Sequence, residues 1–248
     1  MLSKIFAATV RHRRPILIVE VVGAVVVVAV DRSDWRPFLW MAGLGTLGLV
    51  LGLLALSRYR PAVLSVRADV PAFDTPVSPA PVYFFTAYLG IAVNNLSNSI
   101  ESVSEHDDVW LLDVAVAALF VAVVVACFRA AWVGIGVRLR PDGLLDRGLL
   151  GSLFVPWDGF RREYPAWPTR RGQQVRLSYQ GESRRRGLVP TGRRILNASN
   201  VDRDFLTRVI KHYVVHPEHR PAIGTAAEYD RLTQGSSSQD DLGRRQRA

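Results

Sequence analysis

The residues able to do chemistry are few and far apart. His212, His216 and His219 are spaced by four and then three, so the first two share a helix face, as zinc ligands can. Glu218 is the only acid beside them and the sole cysteine is Cys127, in a distant apolar run. The simpler reading sets these imidazoles and Arg220 against the negative end of a helix dipole, and no metal is expected. One cysteine also excludes an internal disulfide and a cysteine-based zinc site. Glu20 and Asp113 interrupt apolar runs, where an ionisable group costs about 2.5–3.5 kcal/mol at a span's centre and often marks an ion path. With Asn94 and Asn95 they carry one functional alternative, a small transporter or channel subunit. Their bland reading is snorkelling near an interface and helix–helix hydrogen bonding. GLGTLG, residues 43–48, matches a dinucleotide fingerprint in spacing, but no strand precedes it and it lies in an apolar helix. No triad order, paired catalytic carboxylates or phosphate loop stands out, so neither an enzyme nor a cofactor is expected.

Charge divides the 248-residue chain. Residues 1–131 hold ten Lys/Arg and ten Asp/Glu; residues 132–248 hold 21 and 12, so the formal +9 lies wholly in the second half. Only Lys4 and Lys211 are lysines, a skew that suits a GC-rich genome. The second-half cations cluster as Arg161 and Arg162, Arg170 and Arg171, Arg184, Arg185 and Arg186, and Arg193 and Arg194. Near an anionic lipid surface such groups gain about 1 kcal/mol each, and a protein partner would meet the same charge. Charge alone supports nucleic acid, with no groove-reading motif beside it, so none is expected.

Hydropathy assigns the first half to a membrane. Apolar stretches at about 15–30, 37–57, 80–98 and 109–131 approach the ~20 residues that ~30 Å of hydrocarbon requires. Basic residues gather at the N-terminus, at Arg58, Arg60 and Arg67, and at Arg129, whereas the other two connections, DRSDWR and ESVSEHDD, are mainly acidic. The positive-inside rule then predicts an α-helical membrane domain of four spans with both termini cytoplasmic, a multi-pass protein of a plasma membrane. Gly48 and Gly52, in GxxxG spacing, offer a helix-packing face, and with it a second alternative: a structural membrane protein that forms homo-oligomers.

Beyond residue 131 the pattern changes period. Val133, Ile135, Val137 and Leu139 alternate with Gly134, Gly136, Arg138 and Arg140, as in a strand with one buried face. Pro141, Asp142 and Gly143 make a tight turn, LLDRGLL returns, Gly151 and Ser152 turn again, and LFVPWDGFRREY follows with Pro156 at an edge or bulge. QQVRLSY, RRRGLVP and RRILNAS complete five to seven short strands that suit a small barrel or sandwich. Ser199 with Asp202 opens a helix at about 200–216, whose stripe of Val201, Phe205, Leu206, Val209, Ile210, Tyr213 and Val214 can cap that barrel. An ordered extension over 217–232 and a disordered tail over 233–248 are expected to follow.

The stretch GVRLRPDGLLDRGLLGSLFVPWDGF, residues 136–160, resembles the bacterial pleckstrin-homology (PH-like) family in its alternating strand, Asp142-Gly143 turn, Arg147 link and Val155-Pro156-Trp157 motif followed by Phe160. The resemblance covers about residues 132–215 and implies a small β-barrel with a C-terminal capping helix over 132–216, behind membrane helices. It implies no reaction. The family's headgroup site uses Lys/Arg on a long first loop; here that loop is the short RPDG turn between Arg140 and Gly143, which argues against carrying the site over. The sequence therefore predicts a membrane-anchored, non-catalytic interaction module that binds a protein partner or an anionic lipid surface at the cytoplasmic face.

Overall fold

The computed structural model describes residues 2–29, 36–59, 63–67, 70–105, 110–169, 173–189, 194–198 and 200–233. The chain forms two compact units: Met1–Tyr59 with Ser78–Gly134, and Arg60–Val77 with Ile135–Ala248.

The first unit is helical: α1 (Leu2–Arg11), α2 (Arg13–Ala29), α3 (Arg36–Arg58), α4 (Ala80–Glu105) and α5 (Trp110–Val133). Pro15 and Pro37 fall in the first turns of α2 and α3, where a missing N–H breaks no helical bond. Gly48 and Gly52 let α3 lie close on α4, since a Cβ at either would stand 2.8 Å from the Tyr83 carbonyl or from the Phe84 ring. The glycine face is therefore filled from within the same chain. Leu17, Val82, Phe85 and Ala131 bury one another between α2, α4 and α5.

The four-span, multi-pass expectation is corrected here. Among the described residues only α5 is long and apolar enough to cross a membrane, with a mean hydropathy of 2.8 over its best stretch. The described part of α2 is 17 residues long, opens on Arg13 and Arg14, and contains Glu20. The apolar run described in α3, Ala42–Arg58, is likewise short. α4 reaches 26 residues, but its second half reads NNLSNSIESVSE, which no hydrocarbon would solvate. With one candidate span, the sidedness argument that placed both termini in the cytoplasm loses its basis. A count of apolar stretches overstated the membrane domain because it did not weigh helix length or the charged and polar residues within each stretch.

The second unit holds all the strands. An antiparallel six-stranded sheet runs β1 (Ser65–Arg67), β2 (Ala72–Asp74), β3 (Gly136–Arg140), β4 (Gly143–Arg147), β5 (Gly151–Pro156) and β8 (Arg184–Gly187) in spatial order. A second sheet pairs β6 (Ala166–Pro168), β7 (Gln174–Leu177) and β9 (Ile195–Asn197). The strands pair as hairpins where the turns are short, with Leu139 opposite Leu144 and Leu144 opposite Val155, so alternate residues bury together. Gly143 does not have a positive φ. It is needed because a Cβ there would meet the Val155 carbonyl and the Phe154 ring. The turn placed at Gly151 and Ser152 comes earlier, closed by the Gly148 N–H donating to the Gly151 carbonyl, and both residues belong to β5.

The core gathers Phe73, Trp157, Leu177, Leu196, Phe205 and Tyr213 among others, all at most 2% exposed. α6 (Arg203–Val215) supplies its lid, with Asp202 as the N-cap accepting from the Phe205 N–H at 2.7 Å. Ser199, the other half of the expected capping pair, and the tail from 234 lie outside the described residues. After α6 a 3₁₀ segment, Pro217–Ala222, leads to a last helix, α7, over 226–233. Gly224, at φ 94°, lets this extension lie on the backbone of Pro71 and Ala72, which any Cβ would strike. Tyr229 then packs 6.2 Å from Phe73, ring to ring.

β1 and β2 enter from the connection between α3 and α4, and a buried carboxylate holds them. Asp74, 6% exposed, accepts from Arg138 Nε at 2.6 Å and Nη2 at 2.9 Å, with Arg147 at 3.4 Å. Thr75 extends the joint: its N–H donates to the Val137 carbonyl and its hydroxyl accepts from the Val137 N–H, both at 2.9 Å. Removing one partner of a buried ion pair strands the other charge. Asp74→Ala should therefore cost about 3 kcal/mol in urea unfolding. Asp230→Ala, at an exposed position, should stay within about 0.5 kcal/mol of the parent.

Candidate functional site

Two places in the second unit bring polar side chains together, and both involve α6. The first is an open cleft of about 730 Å³ lined by Arg161, Arg162, Glu163, Tyr164, Trp167 and Lys211, with Ala166 and Ser178 at its base. Its geometry starts at the Val-Pro-Trp motif. Pro156 ends β5, and Trp157 turns inward, 2% exposed, donating from Nε1 to the Arg140 carbonyl at 2.7 Å. Its ring lies 5.8 Å from Phe160 and 5.7 Å from Tyr213. The motif is thus a core anchor. Because Trp157 and Phe160 both point inward, and Phe160 bridges to Tyr179, residues 161–164 must arch outward. Pro165 and Ala166 bury again, and Trp167 emerges 38% exposed with the Arg176 guanidinium 5.8 Å above its ring. Lys211 adds its ammonium from α6. Three cations, one acid and two exposed aromatics in one concave surface suit an anionic ligand that also offers apolar groups.

The arginines singled out by sequence do not form one patch. Arg161 and Arg162 line the cleft. Arg184, Arg185 and Arg186 lie exposed on β8, at the end of the six-stranded sheet. Arg194 is exposed, its guanidinium 6.0 Å over the Tyr179 ring. Arg170, Arg171 and Arg193 lie outside the described residues. Sequence reasoning missed Tyr164, Trp167 and Lys211; the available signal was a pair of aromatics flanked by Pro165 and Pro168 in a stretch too polar to need them for the core.

Glu20 Oε1 accepts from the Thr86 hydroxyl at 2.6 Å. Asn95 donates to the Ile91 carbonyl at 2.8 Å, one turn back on α4. Asn94 borders a smaller cavity of about 340 Å³ between α3 and α4, lined mainly by Gly45, Thr46, Leu49, Tyr88 and Ile91. Asp113 lies in the first turn of α5, and its backbone carbonyl accepts from the Ser99 hydroxyl at 2.8 Å.

The second cluster lies where α6 meets the extension. His212 and His219 stack at 8° with ring centroids 5.0 Å apart, and His216 Nδ1 is 3.0 Å from Glu218 Oε1. Arg231 on α7 donates to His212 Nε2 at 2.7 Å and grips Glu228 through Nε at 2.9 Å and Nη2 at 2.7 Å. Burial, then the Arg231 charge and the neighbouring imidazoles, hold His212 down at about 4, so its ring is neutral near pH 7. Burial, reinforced by the bond it donates to Glu228 at 2.9 Å, raises the Tyr213 phenol. Burial alone would raise Glu228, but the hydrogen bonds from Arg231 and Tyr213 outweigh it and leave its carboxyl below the ordinary range.

No family model, curated protein or solved structure matches the chain.

The Glu228 arrangement has a pH consequence. A carboxyl depressed in the folded state stabilises above its unfolded value, about 4.3, and that contribution is lost as pH falls through the folded value. Glu228→Ala also leaves the buried Tyr213 hydroxyl without its acceptor, and should cost about 2 kcal/mol at neutral pH. Its urea midpoint should vary less than the parent's between about pH 5 and pH 3.

Proposed function

We propose that the second unit is a non-catalytic binding module, of the PH-like kind that residues 136–160 resemble, and that it takes an acidic segment of a partner protein in the cleft between β6 and α6. Among the described residues one helix, α5, is long and apolar enough to cross a membrane, and in this proposal α5 tethers the module to a lipid bilayer.

The observation that carries the reading is the cleft itself. Arg161, Arg162 and Lys211 converge from a loop and a helix on one concavity, while Tyr164 and Trp167 stay 71% and 38% exposed beside them. Exposed aromatics beside cations are a common make-up of protein-binding surfaces. Concavity favours an inserted chain over a flat bilayer, whose headgroups would be met as well by the exposed arginines of β8. The architecture around it agrees with the family resemblance in kind: short antiparallel strands in two sheets, closed by a C-terminal helix whose apolar stripe is buried.

The test uses the full chain in detergent with a fluorescent peptide of alternating Glu and Leu, read by anisotropy. Micromolar binding is expected, weakening between about 0.1 and 1 M salt as the screening length shrinks from ~10 to ~3 Å. Arg162→Glu with Lys211→Glu should lower affinity at least tenfold, and Trp167→Ala should weaken it at low and high salt alike. Arg184→Glu with Arg185→Glu should leave it unchanged. Equal loss from the β8 variant would reduce the effect to net charge, and tight binding to phosphatidylserine vesicles without peptide binding would replace the partner with lipid; either outcome overturns the reading.

A further inference from the structure

We propose that His216, Glu218 and His219 form a binding site for a zinc-class divalent cation. One ligand atom from each lies within 4.8 Å of the other two. They come together because α6 ends at His216 and Pro217 starts a 3₁₀ segment, which brings residues 216, 218 and 219 round one tight turn. The ligand chemistry is right: two imidazoles and a carboxylate are borderline donors suited to zinc and its neighbours, and unsuited to magnesium or calcium.

Distances support a shared ion. Two donors bound at about 2.1 Å to a tetrahedral zinc stand roughly 3.3 Å apart. His216 Nδ1 and Glu218 Oε1 already lie 3.0 Å apart, and the ligand atoms of all three residues lie within 4.8 Å of one another, so an ion that takes the place of the Nδ1 proton could draw them together with small side-chain adjustments. Three protein ligands leave a fourth position for water or a group of another molecule.

The surroundings prepare His219 for this role. Arg231 can only donate, so the 2.7 Å bond from Nη2 makes His212 Nε2 an acceptor. The contact of 3.0 Å between His212 Nε2 and His219 Nδ1 then requires the proton on His219 Nδ1, which leaves His219 Nε2 an acceptor, met by Arg231 Nη1 at 3.4 Å in a long bond that an ion would displace. A hydrogen bond that fixes the tautomer of a ligating imidazole from its other nitrogen is the usual support behind a metal ligand. Arg231 lies beside the cluster, and its charge is matched by Glu228. Arg220 is turned away: it donates to the Tyr213 carbonyl at 2.9 Å and to Asp158 at 2.8 Å.

The experiment titrates tag-free full chain, stripped with EDTA, with Co²⁺ followed by absorption and with Zn²⁺ by calorimetry. One ion per chain at micromolar affinity is expected, with the intense visible bands of four-coordinate cobalt and a raised Tm. His219→Ala and Glu218→Gln should each weaken binding at least tenfold; the Glu218 side chain is 60% exposed, so that variant should keep the fold. His12→Ala, between α1 and α2, should change nothing. Absence of saturable binding below millimolar metal would overturn the proposal. So would binding that survives both His219→Ala and Glu218→Gln, which would mark an adventitious ion only.

Discussion

The second unit depends on the burial of Asp74 against Arg138 and Arg147. An isolated carboxylate in a core is prohibitively costly, so β2 can lie in the sheet only if those guanidinium groups meet it. Their geometry fixes register: Asp74 stands opposite Arg138 across the β2–β3 ladder, and a one-residue slip would turn the charge to the wrong face. The β unit is thereby assembled from two stretches of chain, with α4 (26 residues) and α5 (24 residues) as an insertion between adjacent strands. An insertion of this kind must leave and return at neighbouring points, and a pair of helices lying along each other satisfies that condition.

Much of the β unit was legible because its strands obey period two and its lid obeys the helical stripe. Val137, Leu139, Val175 and Leu177 are buried where alternation puts them, and Phe205, Leu206, Val209, Ile210 and Tyr213 form the covered face of α6. β1 and β2 were not legible. Three residues each give no periodicity to read, and SVR and AFD sit in what hydropathy treats as a connection between apolar runs. The helical half misled for the opposite reason. Its composition is apolar enough for lipid at four places, but length and the polar second half of α4 leave α5 alone among the described helices. Apolar composition records that a helix is dehydrated and does not say whether lipid or protein does it.

The chemistry was harder to foresee than the fold because it depends on which side chains are left over after the core is built. Trp157, the most conspicuous residue of the motif, is consumed by packing, and Asp158 beside it pairs with Arg220. The inward pull of Trp157 and Phe160 is what forces residues 161–164 out, so Arg161, Arg162 and Tyr164 are exposed as a consequence of the core. Clustering of arginine in sequence gave no such ranking: the run at 184–186 is more basic than the pair at 161 and 162, yet β8 presents it on a sheet edge without a concavity, whereas the pair borders the cleft.

Both polar clusters hang on α6, and successive residues serve them. Lys211 and His212 lie about 100° apart around the helix. The first reaches the cleft beside β6 and the second the imidazole stack against α7. Between them Tyr213 points to the core, donates to Glu228, and carries on its carbonyl the bond from Arg220. α6 is therefore clamped from the extension through Tyr213 and from the end of β5 through Trp157, whose ring lies 5.7 Å from the same tyrosine ring. An ion bound at His216, Glu218 and His219 would tighten the junction between α6 and the segment leading to α7, and so bear on how firmly the Lys211 side of the helix is held. Nothing in this linkage requires a conformational switch; it requires only that the ordering of one end of a short helix reduces the freedom of the residue that faces the ligand.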